Sequence, residues 1–105
     1  MPTTTLIHVT ATDNELYILA STPAGSSEIC HIKSGFNNPV EYKVIPQSIL
    51  PKGDYTLIIV GINWGGPQQF TVALTTGGVI NTITSGPPAP APAGANFTKA
   101  VAIKV

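Results

Sequence analysis

The sequence predicts an all-β protein: an antiparallel two-sheet β-sandwich or jelly roll of roughly seven or eight short strands, forming one domain over residues 1–105. Short runs rich in β-branched and aromatic residues recur along the chain, and clusters of Gly, Pro, Asn and Asp separate them. No segment keeps a helical periodicity over more than two turns. No repeat occurs at a fixed period, which argues against a propeller or a solenoid. A closed β-barrel is the alternative that these observations leave open.

The first third of the chain contains three predicted strands. Thr5–Thr10 and Glu15–Ser21 are rich in β-forming residues, and Asp13 and Asn14 between them are typical of a tight turn, so these runs are predicted to form the first hairpin. Glu15–Ser21 is apolar on both faces, which indicates a central strand or one that contacts a partner chain. Ser27–Lys33 alternates less regularly and is predicted to be the third strand.

A turn is predicted at Ser34–Pro39, followed by a half-exposed strand at Val40–Ile45, where apolar and charged residues alternate. Pro46–Gly53 has prolines that would remove donors from a central strand. We expect this segment to carry the chain from one sheet to the other, with Ile49 and Leu50 covering the end of the core.

The central stretch, Gly53–Thr76, is predicted to be a hairpin with one buried face. Asp54–Val60 is almost entirely apolar or β-branched, and Gln69–Thr75 alternates apolar with polar residues. The loop Gly61–Pro67 joins the two strands.

The last third of the chain contains two more predicted strands, at Val79–Thr84 and Phe97–Val105. Between them, Ser85–Asn96 is rich in Pro, Ala and Gly. We expect this arm to be extended and polyproline-like, and to form neither a helix nor a sheet ladder.

Composition narrows the classes of function. Only 10% of the residues are charged, with five Lys, no Arg and no net charge, whereas about 25% is usual. The basic surface of a nucleic-acid-binding protein is therefore not expected. Because 43% of the residues are hydrophobic, apolar surface should remain after a small core is filled, and we expect a homo-oligomer.

The candidate catalytic and metal-binding groups are few. Cys30 is the only cysteine, so an intrachain disulfide is impossible. Cys30 could pair with His8 across strands, but a packed thiol is the simpler interpretation. Asp13, Asn14 and Glu15 could join Asp54 around calcium, although a turn explains the first two. With no catalytic motif present, we expect no enzymatic activity, no cofactor and no metal.

Residues 1–12 lack the features of a secretory signal, and no apolar run approaches the roughly 20 residues of a membrane helix. We therefore expect no membrane span, and a chain that is cytoplasmic as made or has lost a leader.

The loop around Trp64 is the candidate binding site. It presents the only Trp of the chain among glycines, with Asn63, Gln68 and Gln69 close in sequence. Neutral sugars are bound by a flat apolar ring together with uncharged amides. The predicted function is a non-enzymatic, lectin-like module for neutral glycans. Trp64 could instead cap the core or lie in a subunit contact.

The alternative function is a self-associating structural protein, such as a coat, filament or inclusion component. The low charge and the two apolar faces of Glu15–Ser21 favour it, as do the small residues Ala100 and Ala102 on the outer face of the last strand. The Ser85–Asn96 arm is long enough to span to a neighbouring subunit at roughly 3 Å per residue.

Overall fold

The computed structural model describes residues 2–34, 40–87 and 89–105. Two four-stranded antiparallel sheets pack against each other, and they do not close into a barrel. The predicted β-sandwich is confirmed. The predicted turn at Ser34–Pro39 lies almost wholly outside the described residues.

The elements in chain order are β1 (Thr4–Ala11), β2 (Asn14–Thr22), β3 (Gly25–Ser34), β4 (Tyr42–Val44), a short 3-10 helix (Pro46–Ser48), β5 (Asp54–Asn63), β6 (Gly66–Gln68), β7 (Thr71–Thr76), β8 (Val79–Thr84), β9 (Ala89–Ala91) and β10 (Gly94–Lys104). Sheet A has the order β4-β1-β7-β8, and sheet B has the order β10-β5-β2-β3. Strands β6 and β9 form a separate two-stranded ribbon.

The core lies between the sheets and is built from alternate positions of the strands. Its buried apolar members are Ile7, Val9, Leu16, Ile18, Ala20, Cys30, Val44, Leu57, Ile59, Phe70, Val72, Leu74, Phe97, Ile103 and Val105. The Phe70 ring stacks on Phe97 with a centroid separation of 5.4 Å. Gly61 makes room for this ring, because a Cβ at position 61 would lie 2.8 Å from its carbon atoms.

Both predicted hairpins are wrong, although their strands form where expected. Strand β1 pairs with β4 and β7 in sheet A, whereas β2 pairs with β3 and β5 in sheet B. Strand β5 likewise belongs to sheet B and β7 to sheet A. Because each connection joins a strand of one sheet to a strand of the other, both connections cross between the sheets. Each of these four strands is paired at both edges. Thr12 and Asp13 are accordingly buried, unlike the residues of an exposed turn.

The segment around β4 differs in detail from its prediction. The strand is only three residues long, and Val44 is buried while Tyr42 is 44% exposed. The chain does cross from sheet A to sheet B after β4, as expected. Leu50 packs against the core, but Ile49 is 51% exposed and does not cover it.

The proline-rich arm forms a ladder, contrary to prediction. Ala89–Ala91 pairs with Gly66–Gln68, and Pro90 lies directly opposite Pro67. Opposed residues in an antiparallel pair alternate between hydrogen-bonded and non-bonded positions. Two prolines, which lack N–H groups, can therefore face each other at a non-bonded position. Residues Ala89–Ala91 of the arm therefore fold onto their own chain.

The predicted strands at Val79–Thr84 and Phe97–Val105 are confirmed. Val105 at the chain end is buried. Its backbone exchanges two hydrogen bonds with Gly53, of 2.8 and 2.9 Å. The C-terminus is therefore fastened into sheet B.

Candidate functional site: the surface around Trp64

Trp64 lies where the chain leaves β5 to cross to sheet A, and its side chain is 58% exposed. Its backbone N–H donates to Asn14 Oδ1 at 2.8 Å, and its indole Nε1 donates to Glu15 Oε2 at 3.2 Å. The first residues of β2 thus hold the backbone of Trp64 through one hydrogen bond and its ring through another. The ring does not cap the core.

Glu15 links the indole to strand β3. Its other carboxylate oxygen lies 3.4 Å from His31 Nε2 and 3.7 Å from Lys33 Nζ. The hydrogen bond from Trp64 is the main reason why the pKa of Glu15 lies below its usual value, and His31 and Lys33 lower it further. The carboxylate is therefore ionised at neutral pH and remains a full acceptor.

A second aromatic group adjoins this carboxylate. Tyr17 lies opposite His31 in the β2–β3 ladder, and their rings stack at 4.0 Å with an interplanar angle of 13°. Glu15 and Tyr17 share the outer face of sheet B because the intervening Leu16 points into the core. We call the group of Trp64, Glu15, Tyr17, His31 and Lys33 the Trp64 surface.

The expectation that Asn63 presents its amide beside Trp64 needs correction. Asn63 is only 1% exposed, and its Nδ2 donates to the backbone carbonyls of Gly66, Ala91 and Pro92. Its side chain therefore fastens the proline-rich arm to the end of β5. A ligand at the surface cannot reach it without rearrangement of the loop.

Gln68 and Gln69 are half-buried, and Gln68 lies on the other side of β5 from Glu15. The Gln68 Oε1 accepts from Asn96 Nδ2 of β10 at 3.2 Å, and β5 lies between β10 and β2 in the sheet. The backbone N–H of Gln69 lies by the Asp13 carboxylate, whose pKa burial raises despite this hydrogen bond. The loop thus brings Trp64 to Asn14 and Glu15 rather than to these two amides.

Sequence reasoning missed Glu15 as the partner of Trp64, and it missed Tyr17, His31 and Lys33 as further members of the Trp64 surface. The available signal was the strand Glu15–Ser21, which is apolar on both faces but begins with a carboxylate. The link from Trp64 to Glu15 spans 49 residues of chain. Local sequence carries no information about such a contact.

The candidate catalytic and metal-binding groups are not brought together. Cys30 is buried in sheet B, whereas His8 lies on sheet A, on the opposite side of its strand from the buried residues Ile7 and Val9. Burial, and to a lesser extent the charge of Glu28, raises the pKa of the Cys30 thiol to about 11. This thiol is therefore protonated at neutral pH and is a poor nucleophile.

The calcium arrangement considered from the sequence is also not formed. Glu15 lies opposite Ile62 near the end of β5, whereas Asp54 begins that strand about eight residues away, or roughly 26 Å. Across residues 2–34, 40–87 and 89–105, no group of three or more His, Cys, Asp or Glu side chains is arranged to hold a metal ion.

A depression of about 670 Å³ lies at the opposite end of sheet B from Trp64, and Ser21, Asp54, Thr56 and Lys104 contribute to its lining. It offers a second concave surface with hydroxyl groups, against which the Trp64 surface can be compared by mutation.

None of the helices in the described part of the chain is long and apolar enough to cross a membrane. Comparison of the chain with protein-family models, with curated proteins and with solved structures finds no significant match.

Proposed function

We propose that the protein is a small, non-enzymatic, lectin-like module that binds neutral carbohydrate with Trp64 as its stacking platform. The observation that carries this proposal is the exposed indole held in place by Asn14 and Glu15. The exposed ring is held by the hydrogen bond from its Nε1 to Glu15 and is not free to turn. Fixing the ring before the ligand arrives reduces the entropy lost on binding.

Sugar rings suit this surface chemically. The C–H face of a pyranose packs on a flat aromatic ring, while its hydroxyls need donors and acceptors at the rim. Glu15 still has free acceptor capacity after accepting from the indole, and His31 and Lys33 add donors beside it. Gln68 remains a candidate contact for an extended glycan that reaches across β5.

Binding of neutral glycans should be measured on a glycan array and then by calorimetry with the best oligosaccharide. Trp64→Ala should abolish binding, and Glu15→Gln should weaken it, since the amide keeps an acceptor but loses the charge that holds His31 and Lys33. The matched control is Thr56→Ala, which changes the depression at the far end of sheet B. Binding that survives Trp64→Ala but is lost in Thr56→Ala would move the site to that depression.

The second candidate function is self-association as a structural protein, and exposed apolar residues on strand β8 favour it. Val79 and Ile80 are 61% and 66% exposed. Homo-oligomerisation is compatible with sugar binding, because paired sites gain avidity. The two functions are separated by asking whether a monomeric variant still binds glycan.

A further inference from the structure

Strand β8 is an open sheet edge that lacks the features that normally prevent edge-to-edge pairing. Within the described residues it pairs with β7 on one side only, and the six-residue register has no irregularity. Its sequence, VINTIT, contains no charge, no Pro and no Gly. Segments of this composition with a free edge readily add another strand.

The other three edges of sheets A and B are protected. Strand β4 is three residues long. Strand β3 carries Glu28 and Lys33 and has a register shift against β2. Strand β10 carries Lys99 and Lys104 and has a register shift near its start. Short length, charge and bulges are the usual means of blocking an edge, so β8 is the exception.

The direction of the free backbone groups follows from the turn between β7 and β8. Gly77 and Gly78 both have positive φ, as a two-residue type I′ hairpin requires. The closing pair Thr76–Val79 is therefore hydrogen-bonded, and alternate pairs continue this series to the 3.0 Å bond from Ser85 N to Phe70 O. The N–H and C=O groups of Ile80, Thr82 and Thr84 consequently point away from β7, towards the free edge.

We propose that β8 pairs with β8 of a second copy of this chain, antiparallel about a two-fold axis at Thr82, so that two A sheets become one continuous eight-stranded sheet. Ile80 then lies opposite Thr84 of the other copy, and Thr82 lies opposite its own equivalent. This register satisfies all the outward backbone groups with about six hydrogen bonds. It also places threonines and β-branched residues in the cross-strand pairs that stabilise sheets.

A second copy fits better than another partner for two reasons. A strand without charges offers nothing to select a charged peptide, whereas its alternating donors and acceptors are self-complementary in the antiparallel direction. A two-fold contact also uses up both edges, so the assembly closes as a dimer and does not grow into a fibre. The proposal does not depend on carbohydrate binding, because the Trp64 surface lies on sheet B.

The test is the mass of the full chain at micromolar concentration, measured by sedimentation velocity. The expected mass is about twice 10.9 kDa, and Thr82→Pro should return it to that of the monomer. A proline here removes an outward N–H that β7 does not use. The matched control is Ala100→Pro, which should leave the dimer intact. Val105 and Gly53 form a hydrogen-bonded pair in the β5–β10 ladder, and alternate pairs continue this series. The N–H of Ala100 therefore faces the free edge of β10, as the N–H of Thr82 faces the free edge of β8.

Charge variants at the same position test the two-fold register directly. Thr82→Lys and Thr82→Glu should each be monomeric, because like charges then face each other across the axis, and an equimolar mixture should recover the dimer. Amide exchange at Ile80, Thr82 and Thr84 should slow as concentration rises, while Asn81 and Ile83 stay protected throughout. A wild-type monomer, an open polymer, or a dimer that survives Thr82→Pro and Thr82→Lys would overturn the proposal. Glycan binding by monomeric Thr82→Pro keeps this outcome separate from the proposed function.

Discussion

Replacement of Trp64 by alanine should separate stability from affinity. About two fifths of the side chain is covered, which corresponds to about 100 Å² of the up to about 250 Å² that a tryptophan can bury. At about 25 cal/mol per Å² the covered part contributes about 2.5 kcal/mol, an upper limit because unfolded chains already bury some surface. Because alanine retains part of that contact, we expect a loss of about 1–2 kcal/mol.

The internal standard is Phe70→Ala, since Phe70 is fully buried between the sheets and should cost about 3–5 kcal/mol. Both variants are followed by urea denaturation and, where folded, by calorimetry with a neutral oligosaccharide. Trp64→Phe is the matched partial change: it keeps a ring for stacking and loses only the Nε1 donor to Glu15. We expect it to retain measurable binding, while Trp64→Ala retains none.

A Trp64→Ala variant that lost as much stability as Phe70→Ala would show that the indole supports the fold, and the site assignment would fail. The assignment would fail equally if Trp64→Ala bound glycan as tightly as the wild type. Only small destabilisation combined with lost affinity agrees with an exposed ring that serves a ligand.

Four further outcomes are expected. Cys30 should resist alkylation in the native protein at neutral pH, since burial holds its pKa at about 11; rapid modification would contradict its buried position. The pKa of Glu15 is lowered from 4.5 in the folded state, so its stabilising contribution is present above that value and is lost as the pH falls through the folded pKa; indole fluorescence should report this transition, and Glu15→Gln should remove it. Gly61→Ala should destabilise by about 1–3 kcal/mol through contact with Phe70, and a smaller residue at position 70 should partly restore stability in a double-mutant cycle. Asn63→Ala should cost about 1–3 kcal/mol by removing the hydrogen bonds from the buried Asn63 amide to the backbone carbonyls of Gly66, Ala91 and Pro92, and limited proteolysis should then cut the proline-rich arm faster than in the wild type.

The positions of the strands could be predicted from sequence because alternation is a local property. Along β7 the alternation of apolar and polar residues marks Val72 and Leu74 as members of the buried face, and both are buried. Pairing is not local. Whether β5 turns back beside β7 or crosses to the other sheet depends on which edges β2 and β1 leave open, and those strands lie more than 30 residues away in the chain.

For the candidate site, the local sequence indicated that Trp64 lies on an exposed loop, but it did not indicate which residues the loop contacts. A lone Trp among glycines marks an accessible loop, but the same amide chemistry that makes Asn63 a plausible sugar contact also makes it a good donor to backbone carbonyls. Only the path of the proline-rich arm decides between these roles. Proline-rich segments are usually excluded from sheet ladders because each proline lacks an N–H donor. Pro67 and Pro90 lie opposite each other, so neither leaves a partner's hydrogen-bonding group unpaired, and the ladder can form.

The distribution of charge connects the two proposals. Because the chain has so few charged residues, their positions strongly affect which surfaces can bind a second copy of the chain. Glu15, Glu28 and Lys33 lie on β2 and β3 of sheet B, where their hydration would oppose the stacking of another copy on that face. The β7–β8 hairpin has no charged residue, so the free-energy cost of desolvating its edge is confined to neutral backbone groups that a second copy can satisfy. We expect a single lysine on β8 to remove this asymmetry and to keep the chain monomeric.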